Sequence, residues 1–137
     1  MKMGKKILVI DDEPLVVEVL KIRLKMNNYE VITASDGTEG IERAVTEKPD
    51  LIILDVVMPG LDGYQVCQKL KEDRNTKTIP VIMLTALGQS PGRKKGYSSG
   101  AQDYIFKPFD DEELLNSVEK ALKYKMANSS KKRRNAN

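Results

Sequence analysis

The stretch Leu51-Ile52-Ile53-Leu54-Asp55-Val56-Val57-Met58-Pro59-Gly60-Leu61-Asp62-Gly63 decides the fold. Four consecutive aliphatics make the two-sided apolar run of a strand buried in a parallel sheet, and the run stops at a carboxylate. Open α/β sheets bind ligands outside the carboxyl ends of their strands, so Asp55 stands where a site would be. A strand-end aspartate also serves as a plain loop cap. The surroundings favour a site. Met58-Pro59-Gly60 and Asp62-Gly63 make a turn-rich loop that lets the backbone approach a bound group. Asp11 and Asp12 end an earlier apolar run, Ile7 to Ile10, in the same manner. Three carboxylates at one sheet edge repel each other unless a hard cation sits among them.

Outward from this centre, strands and helices alternate. After Asp11-Asp12-Glu13-Pro14, with Asp12 as a candidate N-cap and Pro14 in the first turn, Val16, Val19, Leu20 and Leu24 recur at helical spacing until Asn27-Asn28. Leu15, Val17 and Ile22 make this helix more apolar than one buried stripe requires, as a contact surface would. Tyr29 to Ala34 is a β-branched strand, and Ser35-Asp36-Gly37 turns into a helix through Ile41, Ala44 and Val45. Gly63 to Asp73 predicts a helix with Val66, Cys67 and Leu70 inward, and Val81 to Leu84 a strand ending at Thr85. Gly88 to Gly100 falls where a helix belongs, but Pro91, Gly92 and Gly96 predict a short or mobile one. Asp103 to Phe106 is the last strand and runs into Lys107-Pro108-Phe109. Asp110 with Glu113 then opens a helix carrying Leu114, Val118, Ala121 and Leu122. From Ala127 the chain is polar, small and basic, and reads as disordered. The expected architecture is a doubly wound α/β sandwich: a five-stranded parallel sheet in the flavodoxin-like order 2-1-3-4-5, with five helices. That order sets Asp11, Asp12 and Asp55 together at the switch point, with Thr85 and Lys107 arriving from neighbouring strands.

Composition narrows the chemistry. The 137 residues suit one domain with a core of its own. The single Cys67 forms no internal bridge and reads as a reduced cytosolic thiol filling a gap. No run resembles a signal peptide or membrane span, so a cytoplasmic location is expected. There is no histidine, which removes catalytic triads, most zinc sites and any phosphohistidine donor role. The formal charge of +3 is a property of the end: Lys125, Lys131, Lys132, Arg133 and Arg134 follow residue 124 without an acid. Removing those five from 23 basic residues leaves 18 against 20 acids, about −2 for the rest, so nucleic acid is not an expected partner of the domain itself. The expected division is a domain over 1–124 and a basic disordered tail or linker over 125–137.

In order and spacing, Asp11-Asp12-Glu13-Pro14, Leu54-Asp55-Val56-Val57-Met58-Pro59 with Asp62-Gly63, Thr85-Ala86, and Gly100-Ala101-Gln102-Asp103-Tyr104 through Lys107-Pro108-Phe109 resemble the receiver domain of two-component response regulators. The match runs from about Lys5 to Lys123 and looks like a single-domain, chemotaxis-regulator-like receiver. The resemblance implies that Asp55 is the phosphoacceptor, and that Asp12, Asp55 and the Val57 carbonyl hold Mg²⁺ with Asp11 helping through water. Thr85 and Lys107 would contact phosphoryl oxygens, Tyr104 would be the switch residue, and the Lys107–Pro108 peptide would be cis. A histidine kinase or phosphotransfer protein would supply the phosphoryl group. The surface near the fourth helix, fifth strand and fifth helix would then change for an output partner. The protein would phosphorylate and dephosphorylate itself rather than act as a conventional enzyme. Physical chemistry agrees, since transfer to a carboxylate needs a nucleophile, a divalent ion and donors that hold the phosphoryl oxygens. Two departures stand out: a glycine-rich fourth helix, and apolar Val57 and Leu87 two residues beyond Asp55 and Thr85.

Other functions fit less well. A flavin carrier needs a hydroxyl- and glycine-rich phosphate loop where this chain has three acids. A metal-dependent phosphohydrolase commonly has a second acid two residues after its nucleophile, and that position is Val57. An N-terminal receiver fragment of a larger regulator, with a DNA-binding or enzymatic effector, is the remaining alternative.

Overall fold

A computed structural model describes residues 4–86 and 100–135, with side chains as far as Lys123. The strands are β1 (Lys6–Ile10), β2 (Glu30–Ala34), β3 (Leu51–Asp55), β4 (Val81–Ala86) and β5 (Asp103–Lys107). They form one parallel sheet in the order β2-β1-β3-β4-β5, as the alternating pattern predicted. Among the described residues there are four helices: α1 (Pro14–Met26), α2 (Gly37–Glu47), α3 (Gly63–Glu72) and α4 (Asp111–Asn135). The fifth expected helix falls on residues 88–100, of which 88–99 lie outside the described residues.

Strand alternation builds two cores, one on each face of the sheet. Leu8, Ile10, Ile52, Leu54, Val81, Met83 and Tyr104 pack with Ala44 of α2 and Val66, Cys67 and Leu70 of α3. Ile7, Val9, Leu51, Ile53, Ile82, Leu84 and Ile105 pack on the opposite face with Leu20 and Leu24 of α1 and Leu114 and Val118 of α4. Because neither face meets water, these strands read as continuous aliphatic runs rather than as alternation. Cys67 is fully buried, and that burial pushes its thiol up to about 11, so it serves as packing rather than as a nucleophile.

Three details differ from the sequence reading. The α1 N-cap is Glu13 rather than Asp12, because the Glu13 amide donates to Asp11 Oδ1 at 2.9 Å; Asp12 is left exposed. Val19, expected on the inward stripe, is 42% exposed, and Leu15, Ile22 and Met26 are exposed with it. Helix α1 therefore buries only Leu20 and Leu24 completely and carries an apolar outer face. Finally, α4 continues to Asn135, past Ala127, where the sequence predicted disorder. Lys131, Lys132, Arg133 and Arg134 propagate an existing helix well, against the weaker propensities of Asn128, Ser129 and Ser130, and elongation carries no nucleation cost.

Helix entries follow local chemistry. Asp36 accepts from the Glu39 amide, Asp110 from the Glu113 amide, and Asp62 with Gln65 forms a reciprocal capping box. These caps fix where each helix leaves the sheet edge, and the capping box fixes α3 against the Asp55 loop.

Candidate functional site

Parallel register brings the site together. Ile10 pairs with Leu54, so Asp11 and Asp55 follow at adjacent strand ends, and one carboxylate oxygen from each of Asp11, Asp12 and Asp55 lies within 4.8 Å of the others. Asp11 and Asp55 are 2% and 3% exposed, whereas Asp12 faces solvent. Lys107 reaches in from the end of β5, its Nζ 3.3 Å from Asp55 Oδ1, 3.6 Å from Asp11 Oδ2 and 3.5 Å from Glu13 Oε1. One cation thus meets three carboxylates.

Electrostatics at this edge are strained. Burial, then the neighbouring Asp11 charge, pushes Asp55 up to about 6 against the opposing pull of Lys107. Asp11 is raised as well, by burial first. Burial works against the Lys107 ammonium too, but the Asp55 and Asp11 carboxylates outweigh it and hold its pKa above the ordinary lysine value. Asp11 Oδ2 is buried with no hydrogen-bond partner among the described residues. An acceptor kept from water in this way costs about 1–3 kcal/mol unless something else meets it. Hard oxygen donors in this number suit Mg²⁺, which takes a few carboxylates and completes its shell with water and phosphate oxygens.

The loop after Asp55 is built for close approach. A Cβ at position 63 would lie 2.4 Å from the Asp55 carbonyl oxygen, so only glycine lets α3 begin there. The Gly63 amide donates to the Val56 carbonyl at 2.8 Å, closing the loop, and Gly60 turns it with φ +77°. The Val57 side chain points out of this loop, 55% exposed.

Thr85 is buried at the end of β4, one residue beyond Leu84, the register partner of Asp55. Tyr104 is buried on β5, its hydroxyl 3.3 Å from that of Tyr64. The Lys107–Pro108 peptide is cis. Two residues at this edge were not singled out from the sequence. Glu13 was legible as the third acid of its run, but nothing local to Tyr64 pairs it with a residue 40 positions away. Beside Lys107, a groove of about 280 Å³ is lined by Leu15, Val16, Val19, Arg23, Pro108 and Phe109. Arg23 is ion-paired with Asp111 at its rim. No helix among the described residues is long and apolar enough to cross a membrane.

Buried acids and an inserted lysine thus meet at the switch point of a doubly wound parallel sheet. The chain belongs to the response regulator receiver domain family, whose model matches residues 7–119. It is 48% identical over 118 residues to the DNA-binding dual master transcriptional regulator RpaA of Synechocystis sp., covering 86% of this chain and 49% of that one. It is 46% identical over 121 residues to the alkaline phosphatase synthesis transcriptional regulatory protein PhoP of Bacillus subtilis, covering 88% of this chain and 50% of that one. The chain thus spans about half the length of these relatives. Among solved structures, it resembles the receiver domain of the Pseudomonas aeruginosa sensor histidine kinase PA1611, which has a magnesium ion coordinated in its active-site cleft. That match has TM-score 0.81 and 29% identity, covering 87% of this chain and 98% of that one.

Proposed function

We propose that Asp55 accepts a phosphoryl group from a phosphohistidine of a sensor kinase or phosphotransfer protein, and that the chain is the switch of a two-component relay. The observation that carries this is the juxtaposition of buried Asp55 with Lys107 Nζ, 3.3 Å away, beside the unbonded Asp11 Oδ2. An Asp55 oxygen attacks phosphorus, the P–N bond to the donor imidazole breaks, and the imidazole leaves with the electron pair. Lys107 and Thr85 hold the phosphoryl oxygens. Attack by water on phosphorus later returns the carboxylate and inorganic phosphate, which resets the switch without making the protein a conventional enzyme.

Asp11, Asp12 and Asp55, with the Val57 carbonyl, are the residues that would hold Mg²⁺. Bound there, the ion supplies positive charge against the phosphoryl oxygens. Lys107, charged throughout the neutral range, keeps the acids from repelling an approaching phosphoryl group. Tyr104 is the switch residue, coupled to Thr85 across β4 and β5.

The groove beside Lys107 and the exposed Leu15, Val19 and Ile22 of α1 form the docking surface of the phosphodonor protein, because this apolar patch runs directly into the lysine at the reacting carboxylate. Residues 1–124 are the receiver and 125–137 a basic tail or linker, into which α4 runs as far as Asn135. The greater length of the relatives, which are transcriptional regulators, favours a second output reading, in which the receiver controls a DNA-binding effector.

Treatment with a small acyl phosphate, with and without Mg²⁺, followed by intact mass, tests the chemistry. One phosphoryl group should be added only with Mg²⁺ and not to Asp55→Asn. Equal labelling of that variant would sink the assignment.

A further inference from the structure

The hydroxyls of Tyr64 and Tyr104 lie 3.3 Å apart, and either can donate. Tyr104 is 5% exposed, its ring tilted 60° against Phe106 with centroids 5.3 Å apart. Strand alternation puts Tyr104 on the α3 face, where Met83 packs and toward which Thr85 also points. Tyr64, the second residue of α3, is half-buried against that same core.

Tyr64 is not free to follow Tyr104 wherever it goes. The start of α3 is pinned to the Asp55 loop by the Gly63–Val56 backbone bond, by the absence of room for any Cβ at Gly63, and by the Asp62–Gln65 capping box. The Tyr64 hydroxyl is therefore referenced to the Asp55 peptide, and Tyr104 is what it holds. Burial first, then the bond to Tyr104, pushes the Tyr64 hydroxyl well above the ordinary tyrosine range. Tyr64 therefore stays protonated.

We propose that Tyr64 is a positioning residue that latches Tyr104 inward, so that the Asp55 loop biases the switch side chain through α3 as well as through Thr85. The proposal rests on Tyr104 being the switch. A hydrogen bond of this kind, made in one position of Tyr104 and lost in the other, changes their ratio by about three- to tenfold. Affinity for any phosphoryl group that favours the inward position then falls with the inward fraction, by at most that factor.

Magnetic resonance of the full chain, carrying ¹³C at the tyrosine ring ε carbons, tests this, with the Tyr104 signal identified by its loss in Tyr104→Phe. In Tyr64→Phe, without metal or phosphodonor, the Tyr104 signal should broaden or move toward that of an exposed tyrosine. The same variant should bind beryllium fluoride with Mg²⁺ more weakly, by up to about tenfold. A structural role alone would lower the melting temperature and leave the ring signal in place. A Tyr104 signal unchanged in both Tyr64→Phe and Tyr64→Leu overturns the latch. In Tyr64→Phe, a Tyr104 signal that has moved outward and does not return when beryllium fluoride and Mg²⁺ are added overturns the switch assignment itself, a separate result.

Discussion

Lys107 Nζ lies 3.3 Å from Asp55 Oδ1 although 52 residues separate them in sequence, and the same nitrogen is 3.6 Å from Asp11 Oδ2. The ammonium holds apart two buried carboxylates that would otherwise leave each other no reason to ionise. It does so only in part, since Asp55 remains raised to about 6. Stability, metal affinity and chemistry are consequently coupled at one sheet edge.

The pH dependence of stability follows from that coupling. Asp55 has a folded pKa above its unfolded value, so its stabilising contribution is complete below about pH 4 and is lost as pH rises through 6. In metal-free buffer, Asp55→Asn should therefore gain on the wild type between pH 4 and pH 7, by an amount on the order of 3 kcal/mol at most. Urea melts of both proteins across that range check this. A difference that is flat with pH would mean that Asp55 is not under strain.

Asp12 is exposed, and its charge is the smallest of the influences that raise Asp55. Asp12→Asn should accordingly raise metal-free stability only slightly, by about 0.5 kcal/mol or less. Its loss as a ligand should cost about tenfold or more in Mg²⁺ affinity. Calorimetric titration with Mg²⁺ beside a metal-free melt separates the two effects, and unchanged affinity would remove Asp12 from the metal site.

At Gly63 the obstacle is backbone, because an added Cβ would sit 2.4 Å from the Asp55 carbonyl oxygen and 2.7 Å from Val56 Cα. Gly63→Ala should cost about 2 kcal/mol or more and disturb the Asp55 loop, whereas Gly60→Ala meets strain from its φ of +77° but no neighbouring atom. Denaturant midpoints for the two variants test the ranking. Equal and small losses would show that α3 can back away from the loop.

Leu15 is 82% exposed beside the groove that Lys107 shares. Leu15→Asp should leave stability within about 0.5 kcal/mol of the wild type. Labelling by a small acyl phosphate should persist, while transfer from a phosphorylated histidine-kinase domain slows. Loss of both reactions together would count against a docking role.

Much of this protein is written locally. Ile7 to Ile10, Leu51 to Leu54 and Val81 to Leu84 are apolar runs that break at Asp11, Asp55 and Thr85, and a strand buried on both faces needs no other signal. Alternation with helical spacing then gave the parallel order, and that order brings Asp11, Asp12, Asp55 and Lys107 to one edge. The spacing of those groups was legible for the same reason, since register fixes which strand ends are neighbours.

Tertiary packing decided what local composition leaves degenerate. Asp11 and Asp12 are the same residue side by side, yet one is 2% exposed and the other faces solvent, because β1 carries Asp11 under the sheet edge before the chain turns into α1. Val19 and Leu20 both fit an apolar stripe, and only the angle at which α1 meets the sheet buries Leu20 and leaves Val19 at the surface. The Tyr64–Tyr104 bond joins α3 to β5, and it exists because Gly63 lets α3 start against the Asp55 peptide. Hydrophobic periodicity depends on neighbours within one or two turns, so it reports elements and faces. Burial of one particular carboxylate, or a hydrogen bond across 40 residues, depends on how those elements meet, which no local pattern encodes.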